Sequence, residues 1–113
     1  MTRRYCLTLA LKNDPELIRQ YEEHHKNVWP EILTSIRSAG IKNMEIFRFQ
    51  DRLFMIMEVN ENFDFEKKAA ADNSNEKVQQ WEQLMWKYQQ PLPGTRSGEK
   101  WMLMKKIFEL NES

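Results

Sequence analysis

The apolar positions of the chain follow two periods, and the alternation between them predicts the order of elements. Over residues 5–11 large apolar side chains alternate with smaller ones, which predicts a β-strand of period two. Over residues 15–26 apolar side chains recur at helical spacing, behind an Asn-Asp-Pro start. A second helix is predicted from Pro30 to Gly40, because proline suits the first turn and glycine suits the end.

Strands and one more helix complete the pattern. Residues 41–49 and 53–59 are predicted strands, and the short link over residues 50–52 predicts an antiparallel hairpin. A polar stretch, residues 62–75, then leads into a helix that is broken by Pro-Leu-Pro-Gly at residues 91–94. The apolar face of that helix consists of Val78, Trp81, Leu84, Met85 and Tyr88. After a polar loop over residues 95–100, a last strand is predicted over residues 101–110, buried on both faces because bulky residues occupy both.

This order predicts an α+β, ferredoxin-like sandwich with a four-stranded antiparallel sheet and helices on one face. The second face of the sheet also needs a cover, since bulky side chains would otherwise meet water. The side chains that suggest this are Leu53, Met55, Met57, Trp101 and Leu103. Pairing of two sheets into a dimeric α/β barrel is one explanation, a small-molecule pocket is another, and both can hold.

Composition narrows the class of protein. A chain of 113 residues has room for one domain, which we expect to span residues 1–113. Its 17 basic and 17 acidic residues balance, so nothing predicts attraction to nucleic acid or to a membrane surface. The single cysteine, Cys6, excludes an internal disulfide, and no apolar segment approaches the roughly 20 residues of a membrane span. We expect a soluble, cytoplasmic protein.

Two adjacent histidines near the end of the first predicted helix are candidates for catalytic residues. Tyr21 and His25 are four residues apart, so their side chains stack on one helix face, but His24 is three residues from Tyr21 and could also reach that face. An imidazole exchanges protons near neutral pH, which suits a reaction without a cofactor. The alternative is that both are solvated residues favoured by the helix dipole.

Four tryptophans could form a binding surface. The sequence gives little support for a metal site, a nucleotide site or a covalent mechanism. Trp29, Trp81, Trp86 and Trp101 could stack on a sugar face, although each is also a natural core residue. Side chains of adjacent helical residues diverge by about 100°, so the two histidines do not form a metal site. The sequence has no phosphate loop, nucleophile elbow or basic and aromatic stripe for nucleic acid.

The stretch "YEEHHKNVWPE", residues 21–31, resembles the signature of the L-rhamnose mutarotases, Y-x-x-x-H-x-x-x-W-P-E. The stretches "AGIKNMEIF", "RLFMIMEVN" and "VQQWEQLM" also have counterparts in that family, so the likeness covers nearly the whole chain. The resemblance implies a ferredoxin-like unit that forms a homodimeric barrel. It also implies interconversion of the α and β anomers of L-rhamnose, or of a related deoxy-sugar, without a cofactor.

Site residues follow from the resemblance position by position. His25 would be the catalytic general acid, Tyr21 would bind substrate hydroxyls and Trp81 would form an aromatic wall. The chain departs from the family pattern at two further substrate-binding positions: Met44 replaces a tyrosine, and Glu82 replaces the second tryptophan of a pair. Glu82 can accept from a hydroxyl or act as a base, so L-fucose is an alternative substrate.

Two other functions remain open. Small ferredoxin-like barrels also include cofactor-free or haem-degrading monooxygenases, whose large apolar cavity the Met-rich strands would suit. A sugar-binding or dimerisation module without catalysis is the second alternative. His24 matches no residue of the signature, and we expect it to be the exposed neighbour of His25.

Overall fold

The structure is a computed structural model that describes residues 3–95 and 100–111. Its elements in chain order are β1 (Arg3–Leu11), α1 (Pro15–Lys26), α2 (Pro30–Ser38), β2 (Ile41–Phe49), β3 (Arg52–Val59), α3 (Phe65–Asn73), α4 (Glu76–Trp86), β4 (Gln89–Gln90) and β5 (Met102–Leu103). The sheet is antiparallel with the order β2-β3-β1-β4, and β5 also pairs with β1. The predicted α+β, ferredoxin-like fold is confirmed, but the described sheet has five strands instead of the four predicted. None of the described helices is long and apolar enough to cross a membrane.

Local signals place α1 and α2 where the sequence predicts them. The Asp14 carboxylate accepts from the backbone N–H groups of Glu16 at 2.9 Å and Leu17 at 3.2 Å, which satisfies two free donors at the start of α1. Gly40 follows α2 with φ +97, and a Cβ atom there would lie 2.8 Å from the Asn60 Oδ1 atom. The turn from α2 into β2 therefore requires glycine.

One face of the sheet is buried under the helices. Leu7 pairs with Met55 and Leu9 with Leu53, so these side chains leave the sheet on the same side, and all are buried. The expectation that Leu53, Met55 and Met57 lie on the second face of the sheet is wrong. The register between β1 and β3 turns them towards the helices instead.

The other side, which we call the open face, carries Phe47 and Phe49 of β2 and Phe54 and Ile56 of β3. Phe47 is 51% exposed and Phe49 is 76% exposed, whereas Phe54 and Ile56 are half-buried. Phe47 and Phe54 are paired across the two strands with ring centroids 6.4 Å apart. A large aromatic surface is therefore in contact with water in the single chain.

The predicted strand over residues 101–110 is wrong in length and in burial. Only Met102–Leu103 pairs with β1, next to β4 on the same edge, and the contact with β1 ends where the Met104 N–H donates to the Cys6 carbonyl oxygen at 2.8 Å. Beyond β5 the apolar side chains of Met104, Ile107, Phe108 and Leu110 are exposed. Residues 96–99 of the predicted polar loop lie outside the described residues.

Helix α3 lies within the polar stretch, where the sequence predicted no element. Asp64 caps it by accepting from the backbone N–H groups of Glu66 at 2.8 Å and Lys67 at 3.1 Å. None of the α3 residues is buried, so the helix lacks the apolar stripe by which amphipathic helices are recognised.

Candidate active site

A cleft of about 1160 Å³ lies between the helices and the covered face of the sheet. The predicted site residues all line it, although they come from three different elements. These residues are Tyr21 and His25 of α1, Met44 of β2, and Trp81 and Glu82 of α4. The fold thus brings together residues that are up to 61 positions apart in the chain.

Helix α1 fixes the orientation of the His25 ring. Its Nδ1 atom lies 2.8 Å from the carbonyl oxygen of Tyr21, and a carbonyl can only accept, so Nδ1 carries a proton. Nε2 is then the ring nitrogen that is left for a ligand. Burial lowers the pKa of His25 and the charge of His24 adds to this, while the bond to the Tyr21 carbonyl acts in the opposite direction. The neutral imidazole, with a lone pair on Nε2, is therefore the favoured form near neutral pH.

His24 has a different environment from its neighbour. Its Nε2 atom lies 3.1 Å from the Tyr88 hydroxyl, and its ring is tilted against that of Tyr88 at a centroid distance of 5.5 Å. It is half-buried and is not among the residues that line the cleft. The expectation of an exposed His24 is wrong, because Tyr88 at the end of α4 packs against it. The structure also shows which of the two histidines lines the cleft, which could not be decided from their spacing in the sequence.

The Tyr21 phenol is buried at the inner end of α1's apolar face. Burial raises the pKa of Tyr21 to about 12, a hydrogen bond from the Gln89 side chain acts in the opposite direction, and the charge of Glu82 raises the pKa further. Tyr21 therefore stays protonated at neutral pH. It can donate a hydrogen bond to a ligand, but it does not serve as a phenolate base.

Trp81 forms part of the core and part of the cleft wall. It is buried, and its ring meets that of Trp29 edge-on at a centroid distance of 5.1 Å and that of His25 at 5.7 Å. Met44 is half-buried on β2, opposite Met57 of β3. These side chains make one side of the cleft apolar beside the imidazole.

Glu82 is engaged in an ion pair with Lys100. The Lys100 Nζ atom lies 2.5 Å from the Glu82 Oε2 atom and 3.1 Å from the Glu82 carbonyl oxygen. It also lies 4.6 Å from the centroid of the Trp86 ring. The Lys100 side chain is only 10% exposed, so its charge is held beside the carboxylate. Sequence reasoning missed Lys100 because it lies 18 positions from its partner and belongs to no motif.

A second residue that sequence reasoning missed is Gln89. It lines the same cleft as Tyr21 and His25, and its side chain is buried. The pairing of β4 with β1 places it there, at Leu11. A two-residue strand after a helix has no periodic signal, so the sequence did not reveal it.

The fold and the cleft together define a class, an α+β ferredoxin-like enzyme whose site offers one imidazole for acid–base chemistry and one phenol as a hydrogen-bond donor. The family model described as L-rhamnose mutarotase matches residues 4–110. The chain belongs to the L-rhamnose mutarotase family, and the resemblance seen in the sequence is confirmed. It is a sugar mutarotase, an isomerase that acts on carbohydrates.

Two relatives that carry mutarotase names support this assignment. The chain is 47% identical over 113 residues to an L-fucose mutarotase of Xanthomonas campestris, covering 98% of this chain and 90% of the relative. It is 26% identical over 87 residues to an L-rhamnose mutarotase of Oceanobacillus iheyensis, covering 75% of this chain and 76% of the relative.

Solved structures show the same fold. An L-rhamnose mutarotase of Formosa agariphila superposes with a TM-score of 0.71 at 20% identity, covering 96% of this chain and 99% of that structure. Tetracenomycin F2 cyclase of Streptomyces glaucescens superposes with a TM-score of 0.60 at 16% identity, covering 98% of this chain and 99% of that structure. At these identities the likeness concerns the fold alone.

Proposed function

We propose that the chain interconverts the α and β anomers of a 6-deoxy-L-hexose without a cofactor, with L-fucose as the preferred sugar and L-rhamnose second. The order of sugars follows the relatives, since the L-fucose mutarotase shares 47% identity and the L-rhamnose mutarotase 26%. The observation that carries the reaction is the His25 ring, whose Nδ1 is bound to a carbonyl and whose Nε2 is left for substrate.

In this mechanism His25 moves one proton between two oxygens on the same carbon. Neutral Nε2 takes the proton of the anomeric hydroxyl, and the electrons of that O–H bond form the carbonyl. The bond from the anomeric carbon to the ring oxygen breaks, and its electrons go to the ring oxygen. The His25 imidazolium then protonates that oxygen, which is the role of general acid predicted from the sequence. Rotation of the aldehyde and the reverse steps give the other anomer.

The other cleft residues bind and orient the sugar. Tyr21 donates from its protonated phenol to a sugar oxygen, and Trp81 presents an indole wall against which a sugar face stacks. Met44 cannot bond a hydroxyl but offers an apolar contact to the methyl group that distinguishes a 6-deoxyhexose. Glu82, with one oxygen on Lys100, accepts from a hydroxyl and is not needed as the base.

We also propose that two copies of the chain pair through the open face. Phe47 and Phe49 leave an exposed aromatic surface on the sheet, and Ile107 and Phe108 after β5 are also exposed. Surfaces of this kind commonly mark protein–protein contacts. A second copy supplies a matching sheet, because a two-fold interface uses the same patch on both subunits. A single domain over residues 1–113 and a cytoplasmic location stay predictions.

The experiment is saturation-transfer NMR on L-fucose and on L-rhamnose at anomeric equilibrium, with the wild type, His25→Ala and His24→Ala. We expect the wild type to accelerate exchange, His25→Ala to lose about 10²–10⁴-fold because it lacks the acid–base group, and His24→Ala to keep most of the rate. Circular dichroism checks that both variants are folded.

Each alternative function predicts a different experimental result. Sugar binding without accelerated exchange in the wild type would support the binding-module hypothesis. Exchange that survives in His25→Ala would contradict the assigned role of His25. Oxygen uptake with visible absorbance on mixing with haem would instead support the monooxygenase hypothesis.

A further inference from the structure

Gln89 is a buried polar side chain in a cleft that is otherwise apolar on that side. It is 4% exposed and is the only buried polar or charged residue among residues 3–95 and 100–111. It lines the cleft together with Tyr21, Trp81 and Met85. Neither the family signature nor the mechanism above gives it a role.

The backbone around Gln89 is fixed from both sides. Gln89 pairs with Leu11 of β1, and the next residue, Gln90, pairs with Ala10. The preceding carbonyl, that of Tyr88, accepts from the Lys12 N–H at 2.8 Å. Alternation along β4 then turns Gln89 inward while Gln90 is exposed, so the position of the Gln89 side chain is set by the sheet.

The Gln89 amide lies near the Tyr21 phenol, and its oxygen atom is unpaired among the described residues. The Gln89 side chain lies close enough to the Tyr21 phenol for hydrogen bonding to lower the pKa of that phenol. Its Oε1 atom is buried without a hydrogen-bond partner in the part of the chain that the structure describes. Turning the amide over would place Nε2 where Oε1 now lies, at the same buried position. Either orientation leaves one polar atom for a ligand, and an unpaired buried amide atom is unfavourable in the empty cleft.

We propose that Gln89 is a substrate-binding residue whose Oε1 atom accepts a hydrogen bond from a hydroxyl of the bound sugar. Its amide at the same time donates to the Tyr21 phenol oxygen, so that the phenol proton is free to point at a second sugar oxygen. Gln89 and Tyr21 thus form an acceptor and a donor side by side, a pattern that distinguishes hydroxyl orientations. This inference rests on the proposed mutarotase function and deepens it.

The test compares Gln89→Leu and Gln89→Met with Gln90→Leu, a matched control on the exposed side of the same strand. We expect both Gln89 variants to raise KM for the preferred sugar about tenfold and to keep kcat within about twofold. The reason is that the lost hydrogen bond stabilises the bound sugar equally in the ground state and in the transition state. Gln90→Leu should leave both constants unchanged. Gln89→Met keeps the volume of the side chain, so the two constants can still be measured in this variant if the leucine variant does not fold.

Analogues that lack one hydroxyl identify the contact. For one monodeoxy analogue of the preferred sugar, the wild type and Gln89→Met should show the same KM, because the bond is absent in both. A purely structural role would raise KM equally for every analogue, and this result would overturn the inference, as would an unchanged KM for the parent sugar. A wild type that neither binds nor interconverts any of the sugars would instead overturn the proposed function itself.

Discussion

The two faces of the sheet carry similar apolar side chains and have opposite surroundings. On the covered face, Leu9 and Leu53 are fully buried, and Leu7 and Met55 of the same strands line the cleft. On the open face, Phe47 and Phe49 are exposed in the single chain. The same strands therefore build a core on one side and leave an unpartnered aromatic surface on the other.

This difference explains where the chemistry is located. Burial between helices and sheet lowers the pKa of His25 and raises that of Tyr21, so the pair presents a base and a protonated donor at the same pH. The open face is exposed to water in the single chain, and its large apolar area is suited to protein contact. Burial, rather than apolar composition, distinguishes the site from the interface.

The largest effect is expected from truncating the covered face. Leu9→Ala should lower the free energy of unfolding by about 2–5 kcal/mol, because it opens a cavity in a fully buried position. Phe49→Ala removes a larger side chain from the open face but should cost less than about 0.5 kcal/mol in dilute, monomeric protein. Urea denaturation followed by circular dichroism measures both. Equal losses would show that the two faces are equally buried in solution.

Charging the open face should weaken self-association while leaving the fold intact. Phe47→Lys places a charge at the centre of the proposed interface, and we expect the dimer Kd to rise about 30-fold or more. Analytical ultracentrifugation over a range of concentrations measures the Kd, with Lys67→Ala on exposed α3 as the control. Wild-type protein that stays monomeric at high concentration would contradict the proposed pairing.

The pH dependence of anomer exchange should reflect the burial of His25 on the covered face of the sheet. Because burial lowers the pKa of His25, its neutral form persists below pH 6.5, the ordinary value for histidine. We expect the rate to stay level as pH falls through 6.5 and then to drop about tenfold per unit below the pKa of His25. Exchange kinetics across pH, together with NMR titration of the His25 ring, measure this. A decline that begins above pH 6.5 would contradict it.

The smallest effect is expected at the ion pair on the cleft wall. Glu82→Gln keeps the shape of the side chain and should change kcat by less than about threefold, since Lys100 already holds the carboxylate. At 43% exposure of Glu82, the pair should contribute no more than about 1 kcal/mol to stability. A loss of 10²-fold or more in kcat would assign the base to Glu82.

Most of the element pattern and part of the site could be predicted from the sequence. The pair Tyr21 and His25 followed from helical spacing, and the family signature selected His25 over His24. Glu82 was identified as a cleft residue, but its pairing with Lys100 could not be predicted. Gln89 escaped notice because its burial depends on a partner strand far away in the chain.

The sequence by itself determined the features that depend on neighbours within a few residues. Helix α1 starts at an Asp-Pro cap, the turn after α2 needs Gly40, and strand alternation produces two faces. Tertiary structure alone decided which face is covered, how far the last strand extends and what surrounds each histidine. The physical reason is range: caps and periodicity act within one or two turns, whereas burial and pKa depend on contacts between residues that only the fold brings together.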